Sequence, residues 1–292
     1  MINFLKYKWV YFTVSAIVIL SGLVSIGRWG YRMSIDFTGG TNLEYLFNKT
    51  VDNKKLSAII RYSGLQVIDE KLQNGNHLIL KTKAIDEKQE TNLKSNLIGN
   101  LKVAITVLKS ETVGPTLGSE TMTKTIIASL LAIAGILIYM SFAFKGFDYA
   151  VSAILAMIHD FLVVMGTYSL ISHFFGAELD TMFVTAVLTA MSFSVHDTII
   201  IFDKIREYFR EEGYGNMEFY ANRALTETLV RSLNNSMTII FMLLALSLMG
   251  GETIRFFVIA LLVGTITGTY SSPFIATPIL VFLEKKRLRK TK

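Results

Sequence analysis

Long apolar blocks alternate with short polar segments along most of the chain, and only one polar segment is long. Six blocks are apolar over enough residues to cross about 30 Å of hydrocarbon as helices, which takes roughly 20 residues. They lie near 9–29, 122–144, 149–172, 181–202, 230–249 and 254–283. The pattern predicts a membrane α-helical bundle with six transmembrane helices, the first retained as an anchor rather than cleaved as a signal peptide.

The long polar segment, residues 30–121, has a different periodicity and predicts a small folded domain. Asn74-Gly75, flanked by alternating apolar residues, favours a β-hairpin. The predicted strands and helices are 33–47, 52–63, 65–72, 77–83, 86–99 and 102–110. Their order, βαββαβ, is typical of an α+β ferredoxin-like fold. Glycine and proline in 111–120 ("ETVGPTLGSE") predict a rigid turn before the second span.

The basic residues indicate how the chain crosses the membrane. The net charge is +6, yet the short loops 173–180 and 250–253 contain no Lys or Arg, whereas the tail "EKKRLRKTK" at 284–292 is strongly basic. By the positive-inside rule both termini are cytoplasmic and the folded domain is on the far, periplasmic side. We therefore expect no nucleic-acid partner. The chain divides into a cytoplasmic N-terminus with the first span (1–29), the periplasmic domain (30–121), a five-helix bundle (122–283) and the tail (284–292).

The composition argues against several kinds of chemistry. The chain has no cysteine, which removes disulfides, thiolate metal sites and cysteine nucleophiles. Its four histidines include no pair spaced i, i+4, and neither common glycine-rich phosphate-binding loop is present. We expect no metal, no cofactor and no enzymatic activity.

Asp197 is the most informative charged residue. It lies five residues from Phe202 at the cytoplasmic end of the fourth predicted span, about 8 Å deep at 1.5 Å per residue. Arg231 enters the fifth span from the same side, so the two side chains reach similar depths and are predicted to form an ion pair. Two interpretations remain open: protonation of Asp197 releases Arg231 in a proton-coupled switch, or a static pair only fixes helix packing.

A second acidic group lies deeper in the bundle. His159 and Asp160 occupy the middle of the third predicted span, and His196 adds a titratable neighbour to Asp197. A proton relay and simple polar packing both fit His159 and Asp160. Because adjacent side chains of a helix point about 100° apart, the two are not expected to form one site unaided.

The last predicted span contains a stripe of small residues. Gly264, Gly268 and Ser272 recur every four residues, a spacing that allows close helix contact. Pro273 and Pro278 follow and predict a bend.

Five stretches in order resemble one family. They are "DFTGGT" (36–41), "VGPTLG" (113–118), "SVHDTIIIFDKIRE" (194–207), "RSLNNS" (231–236) and "GTYSSPFIATPIL" (268–280). Together they resemble the SecF family, the smaller membrane subunits of the bacterial SecD–SecF protein-export complex within the resistance-nodulation-division superfamily. The resemblance covers nearly the whole chain. Phe193 and His196 depart from it, since relatives often have Tyr and Asn there.

The resemblance implies a function and partners. It implies an inner-membrane subunit that, with SecD and beside the SecYEG channel, uses the proton-motive force to help export unfolded polypeptides after the ATP-driven motor has acted. It further implies that Asp197 carries protons and that Arg231 is the charge used with it. The alternative is a scaffold subunit that stabilises SecD and the channel without conducting protons.

Overall fold

The computed structural model describes residues 3–144, 146–213 and 215–290, and the chain within them forms two compact units. One unit is Met1–Arg32 with Ile127–Lys292, and the other is Met33–Ile126. Lys145 and the last two residues of the basic tail lie outside the described residues.

Helices dominate the structure. The α-helices are α1 (Lys8–Trp29), α2 (Ile35–Thr38), α3 (Asn53–Tyr62), α4 (Glu87–Leu101), α5 (Pro115–Ala143), α6 (Phe147–Phe175), α7 (Thr181–Glu212), α8 (Met217–Met249), α9 (Glu252–Ser271) and α10 (Thr277–Lys290). A 3₁₀ turn, Phe4–Tyr7, precedes α1, and a π-helical turn, Ser272–Ala276, joins α9 to α10. The strands are β1 (Arg32–Met33), β2 (Gly40–Phe47), β3 (Val67–Gln73), β4 (His77–Thr82), β5 (Ile105–Val113) and β6 (Glu178–Leu179).

The prediction of six spanning helices is confirmed for the described residues. Six helical segments are long and apolar enough to cross a membrane: Phe4–Trp29, Pro115–Ala143, Phe147–Phe175, Thr181–Glu212, Met217–Met249 and Thr253–Arg287. The most apolar windows of α6 and α7 are 56% and 50% buried within the chain, whereas those of α5 and α8 are 6% and 11% buried. The helices α6 and α7 therefore form the centre of this unit, and α5 and α8 present most of their surface outward.

The other unit is a four-stranded antiparallel sheet with two helices packed on one face. The strands lie in the order β3-β4-β2-β5, and the helices α3 and α4 contribute Leu56, Ile60, Leu93 and Leu97 to its core. Asp52 caps α3, and a capping box of Asp86 and Gln89 begins α4. The predicted hairpin is confirmed: Asn74 and Gly75, both with positive φ, join β3 to β4.

Two predictions for this unit are wrong. Residues 33–47 are not one strand, because Ser34 caps the short helix α2 and Gly39, at φ 71°, ends it before β2 begins. Residues 111–120 are not a turn, because β5 ends at Val113 and α5 begins at Pro115. Proline suits a first helical position, where no N–H is required.

A close backbone contact with Gly39 explains the glycine at position 118. A Cβ on Gly118 would lie 2.6 Å from the backbone nitrogen of Gly39, and a Cβ on Gly39 would lie 2.7 Å from the Cα of Pro115. Gly118 therefore serves a close backbone approach inside α5 rather than a break in the helix.

The helices α1 and α6 approach each other closely in the same way. A Cβ on Gly22 would lie 2.6 Å from the Cα of Gly166, and the reverse distance is the same. Nearby, the hydroxyls of Ser25 and Ser169 are 2.9 Å apart and hydrogen-bond. Small residues thus bring α1 against the centre of the bundle.

This contact predicts different effects of the same substitution at two positions of α1. Gly22→Ala forces α1 and α6 apart, so we expect a loss of about 1–3 kcal/mol of stability. Gly27→Ala is the matched control, because its added Cβ would meet no described atom within 4 Å apart from the nearby backbone of its own helix. Thermal unfolding of the purified chain in detergent measures both. Equal melting temperatures for the two variants contradict the close approach.

Candidate functional site

Asp160 lies at the centre of a hydrogen-bonded group that joins several helices. Its side chain is on α6 and the residue is 3% exposed. Its Oδ2 accepts hydrogen bonds from the hydroxyl of Ser194 on α7 and, at 2.6 Å, from the hydroxyl of Ser271 on α9. Its Oδ1 is 2.8 Å from Nδ1 of His159. The carboxylate is therefore satisfied at both oxygens by groups from three helices.

His159 extends this group to the first helix. Its Nε2 is 2.9 Å from the hydroxyl of Ser15 on α1. The Ser15 hydroxyl lies 3.5 Å from that of Tyr270 on α9, and Tyr270 donates at 2.9 Å to the carbonyl of Tyr11. The expectation that His159 and Asp160 could not form one site unaided is wrong, because the length of the histidine side chain bridges the angle between adjacent positions.

Asp197 has a separate and simpler environment. It lies on α7, is 5% exposed, and accepts a hydrogen bond of 2.9 Å from the hydroxyl of Ser232 on α8. Ser236, one turn further along α8, is also buried and lines the same small cavity. Thus hydroxyl groups of α8, rather than a cation, face this carboxylate.

The predicted ion pair between Asp197 and Arg231 is absent from the structure. Among the described residues no Lys or Arg forms an ion pair with Asp197, and Arg231 is exposed on the outer surface of α8. Ser232, the residue after Arg231, contacts Asp197, so this part of α8 lies level with Asp197 as expected. The rotation of α8 was not predicted. Arg231 precedes Ser232 by one residue and so points about 100° away from it.

A small cavity lies beside Asp197 and is lined by residues of α7, α8 and α9. It measures about 20 Å³, enough for one water molecule. Its lining comprises Phe193, Ser194, His196, Asp197, Asn235, Ser236, Ile239, Thr265, Gly268 and Thr269. Ser194 therefore borders the cavity beside Asp197 while its hydroxyl binds Asp160. His196 also lines it, although much of its ring is exposed.

The small residues of α9 and of the π-helical turn that follows it lie against small residues of α7. A Cβ on Gly264 would overlap Ala190, a Cβ on Gly268 would lie 3.0 Å from the Cβ of Ser194, and the hydroxyls of Ser272 and Thr198 are 2.8 Å apart. Both helices present these residues at four-residue spacing. This close approach places Ser271 and Ser194 on either side of Asp160.

The serines were the part of the site that sequence analysis missed. Ser15, Ser232 and Ser271 each place a hydroxyl against a buried polar group, but serine is common in spanning helices and carries little signal by itself. Their signal lies in helical spacing, since Ser232 and Ser236 are four residues apart and Ser271 adjoins the small-residue stripe. Within the described residues no group of three or more His, Asp or Glu side chains is arranged to hold a metal ion.

Comparison with known proteins places the chain among export proteins. A family model described as protein export membrane protein SecD/SecF, C-terminal, matches residues 93–286. The protein translocase subunit SecF of Thermobaculum terrenum is 38% identical over 98% of this chain and 95% of its own length. The subunit of the same name from Anaerolinea thermophila is 37% identical over 99% of this chain and 96% of its own.

Two solved structures of SecDF are similar to this fold. The crystal structure of SecDF, a translocon-associated membrane protein from Thermus thermophilus, matches with a TM-score of 0.84 at 28% identity over 97% of this chain. SecDF in a super-membrane-facing form matches with a TM-score of 0.71 at 28% identity over 99% of it. The match covers 39% and 40% of those two chains, so this chain spans about two fifths of their length.

The geometry around Asp160 predicts that its hydroxyl donors are important for stability. Ser194→Ala leaves a buried carboxylate oxygen with one donor fewer, so we expect a loss of about 1–3 kcal/mol. Ser192→Ala is the matched control, because Ser192 lies on the same helix, is exposed, and its hydroxyl donates to the carbonyl of Leu188 on its own helix. Thermal unfolding of both variants in detergent provides the comparison.

A double-mutant cycle separates the contact from a general packing effect. When Asp160 is already Asn, Ser194→Ala is expected to cost clearly less than in the native chain. An unchanged cost contradicts a direct contribution from the bond between the two side chains.

Proposed function

The chain belongs to the SecF branch of the SecD/SecF family of protein export membrane proteins, and we propose that it is a non-enzymatic subunit of a proton-driven protein translocase. In this proposal it acts with SecD beside the SecYEG channel and assists the late export of unfolded polypeptides. The names of its relatives and of the similar SecDF structures support this assignment.

The proposed placement is the bacterial inner membrane, with both termini in the cytoplasm and the sheet unit in the periplasm. The distribution of Lys and Arg supports this orientation. We further propose that the sheet unit is ferredoxin-like. Its strand–helix–strand–strand–helix–strand order and its antiparallel β3-β4-β2-β5 sheet support that name.

One observation carries the proposed proton coupling: Asp197 is buried in a spanning helix and is held by a neutral hydroxyl. A carboxylate tied to a buried cation loses that pair on protonation. Asp197 instead accepts from Ser232, whose hydroxyl can rotate to accept once the acid is protonated. Both protonation states therefore keep the hydrogen bond, and the adjoining cavity has room for a water molecule to deliver the proton.

Arg231 supports the proposed partnership with SecD. It is exposed on α8, a helix long and apolar enough to span a membrane, together with Asn234 and Asn235. Charged and amide groups are costly to expose to hydrocarbon, so this face requires a partner that supplies acceptors. We propose that SecD covers it and brings an acidic or carbonyl group to Arg231.

The proposed cycle follows from the environments of Asp197 and Arg231. Asp197 takes up a proton from the periplasmic side, which removes a negative charge near the α8 surface and changes the balance of charges that Arg231 experiences. The bundle shared with SecD then rearranges and moves the periplasmic domains that hold the polypeptide. Release of the proton to the cytoplasm restores the charge.

Neutralising Asp197 tests the coupling. In cells carrying Asp197→Asn, we expect the proton gradient to lose most of its effect on export of a secretory protein. The amide oxygen still accepts the hydrogen bond from Ser232, but the amide neither takes up nor releases a proton. Asp203→Asn is the matched control, since Asp203 lies on the same helix but is exposed and pairs with Arg206 at 3.3 Å. Assembly with SecD is checked first by co-purification.

The result distinguishes the two functions. Persistence of gradient-dependent export at the native level in Asp197→Asn contradicts proton coupling at this residue. It favours the alternative, a scaffold that stabilises SecD and the channel.

The proposed SecD interface predicts a pattern of cross-linking. The chain has no cysteine, so single-cysteine variants report one position each. We expect Asn234→Cys on α8 to cross-link to cysteines introduced into SecD. Ile17→Cys is the control, because it lies on the outer surface of α1, where the neighbouring exposed side chains are largely apolar and can face lipid. Equal cross-linking at both positions contradicts an interface on the Arg231 face.

A further inference from the structure

We propose that His159 and Asp160 form a second proton-binding site, connected to Asp197 through Ser194 and one water molecule. The inference extends the proposed proton-coupled function, and the role of this second site in export depends on that proposal. Its physical basis is separate, because it depends on whether the hydrogen bonds around His159 can be satisfied with and without an added proton.

Without the added proton, every polar atom of the pair has a partner. The neutral ring carries its hydrogen on Nδ1 and donates to Oδ1 of Asp160 at 2.8 Å. Its Nε2 then accepts from the hydroxyl of Ser15 at 2.9 Å. The other carboxylate oxygen accepts from Ser194 and Ser271, so the ionised acid is fully hydrogen-bonded.

With one proton added to the ring, the same atoms remain satisfied. Both ring nitrogens now donate, and Nε2–H donates to the Ser15 oxygen. The Ser15 hydroxyl rotates to donate to Tyr270, 3.5 Å away, and Tyr270 continues to donate to the carbonyl of Tyr11. A hydroxyl can reverse its role in this way because it is both donor and acceptor. The imidazolium and the carboxylate then form a neutral pair inside the bundle.

The side chains packed around His159 and Asp160 are neutral, so none of them opposes the added positive charge. They are hydroxyls: Ser15 from α1, Ser194 from α7, and Tyr270 and Ser271 from α9. In the described part of the chain, no Lys or Arg forms an ion pair or hydrogen bond with His159 or Asp160. An added proton is therefore the positive charge that balances Asp160. The nearest acidic residue along α7 is Asp197, three residues beyond Ser194.

Ser194 connects this pair to Asp197. It donates to Asp160 and borders the cavity of about 20 Å³ that Asp197 also lines. One water molecule there can donate one hydrogen to the Ser194 oxygen and the other to Asp197, while Ser194 continues to donate to Oδ2 of Asp160. This chain of hydrogen bonds couples the charges of the two acids without moving a proton between them.

Nitrogen-15 NMR of the full chain in lipid nanodiscs tests the site directly. Selective nitrogen-15 labelling of the four histidines gives two ring signals for each, and His→Gln substitutions at positions 77, 173 and 196 assign them. We expect the His159 ring to carry hydrogen on Nδ1 at high pH and on both nitrogens at low pH, with the chain folded throughout. A ring that keeps one neutral form over the whole range overturns the second proton-binding site.

Variants test the connections of the site. Asp197→Asn is expected to move the pH midpoint of the His159 signals to lower pH by about half a unit or more, because it removes a nearby negative charge. Ser15→Ala is expected to move the midpoint in the same direction, since the protonated ring loses its acceptor at Nε2. Ser25→Ala is the matched control on α1: it removes a hydroxyl bond to Ser169 on α6, and the midpoint should stay unchanged.

The outcomes are independent of the export test. An unchanged midpoint in Asp197→Asn overturns the connection between the two acids. Titration of His159 together with persistent gradient-dependent export in Asp197→Asn leaves the site in place and contradicts the proposed function. If Asp197→Asn abolishes gradient-dependent export but His159 does not titrate, the proposed function stands and the second proton-binding site is overturned.

Discussion

A carboxylate buried among spanning helices must find its hydrogen-bond donors within the protein, and Asp160 meets this requirement with groups from three helices. The donors are short, since serine hydroxyls reach only a few ångströms, so the backbones that carry them must lie close together. The close contact of α7 with α9 follows from this need, and the histidine link to Ser15 reaches the first helix. The small residues and the buried acid therefore depend on each other.

The two buried acids differ in how firmly they are held. Asp160 is tied to α7 and α9 by hydroxyls and to α1 through His159, whereas Asp197 is hydrogen-bonded to α8 through Ser232 and borders a cavity. A rearrangement of α8 would therefore change the surroundings of Asp197 before it disturbed Asp160. This difference suits an arrangement in which one acid anchors the bundle centre and the other responds to a partner.

Hydropathy and spacing predicted two large features: the six apolar segments, which follow from the thickness of a membrane, and the hairpin at Asn74–Gly75, which follows from the positive φ that its turn requires. What they could not supply is the rotation of each helix about its axis. Ser232 rather than Arg231 faces Asp197, and this choice depends on how α8 packs against α7 and α9. The same limit applies to Gly118, whose value lies in a contact with distant Gly39, and to His159 and Asp160, whose side-chain conformations let adjacent residues meet.

The π-helical turn at Ser272–Ala276 has a consequence for helical phase. One extra residue in a turn delays the phase of all later positions by about 100°. Ser272 and Glu284, twelve residues apart, would lie about 120° apart on an unbroken α-helix, but with the extra residue they fall within about 20° and both are buried. Glu284 binds Arg287, which also reaches Asp148 at the start of α6. Deleting one residue from this turn would keep the length and hydropathy of the span almost unchanged, yet it would turn Glu284 and Arg287 away from Asp148.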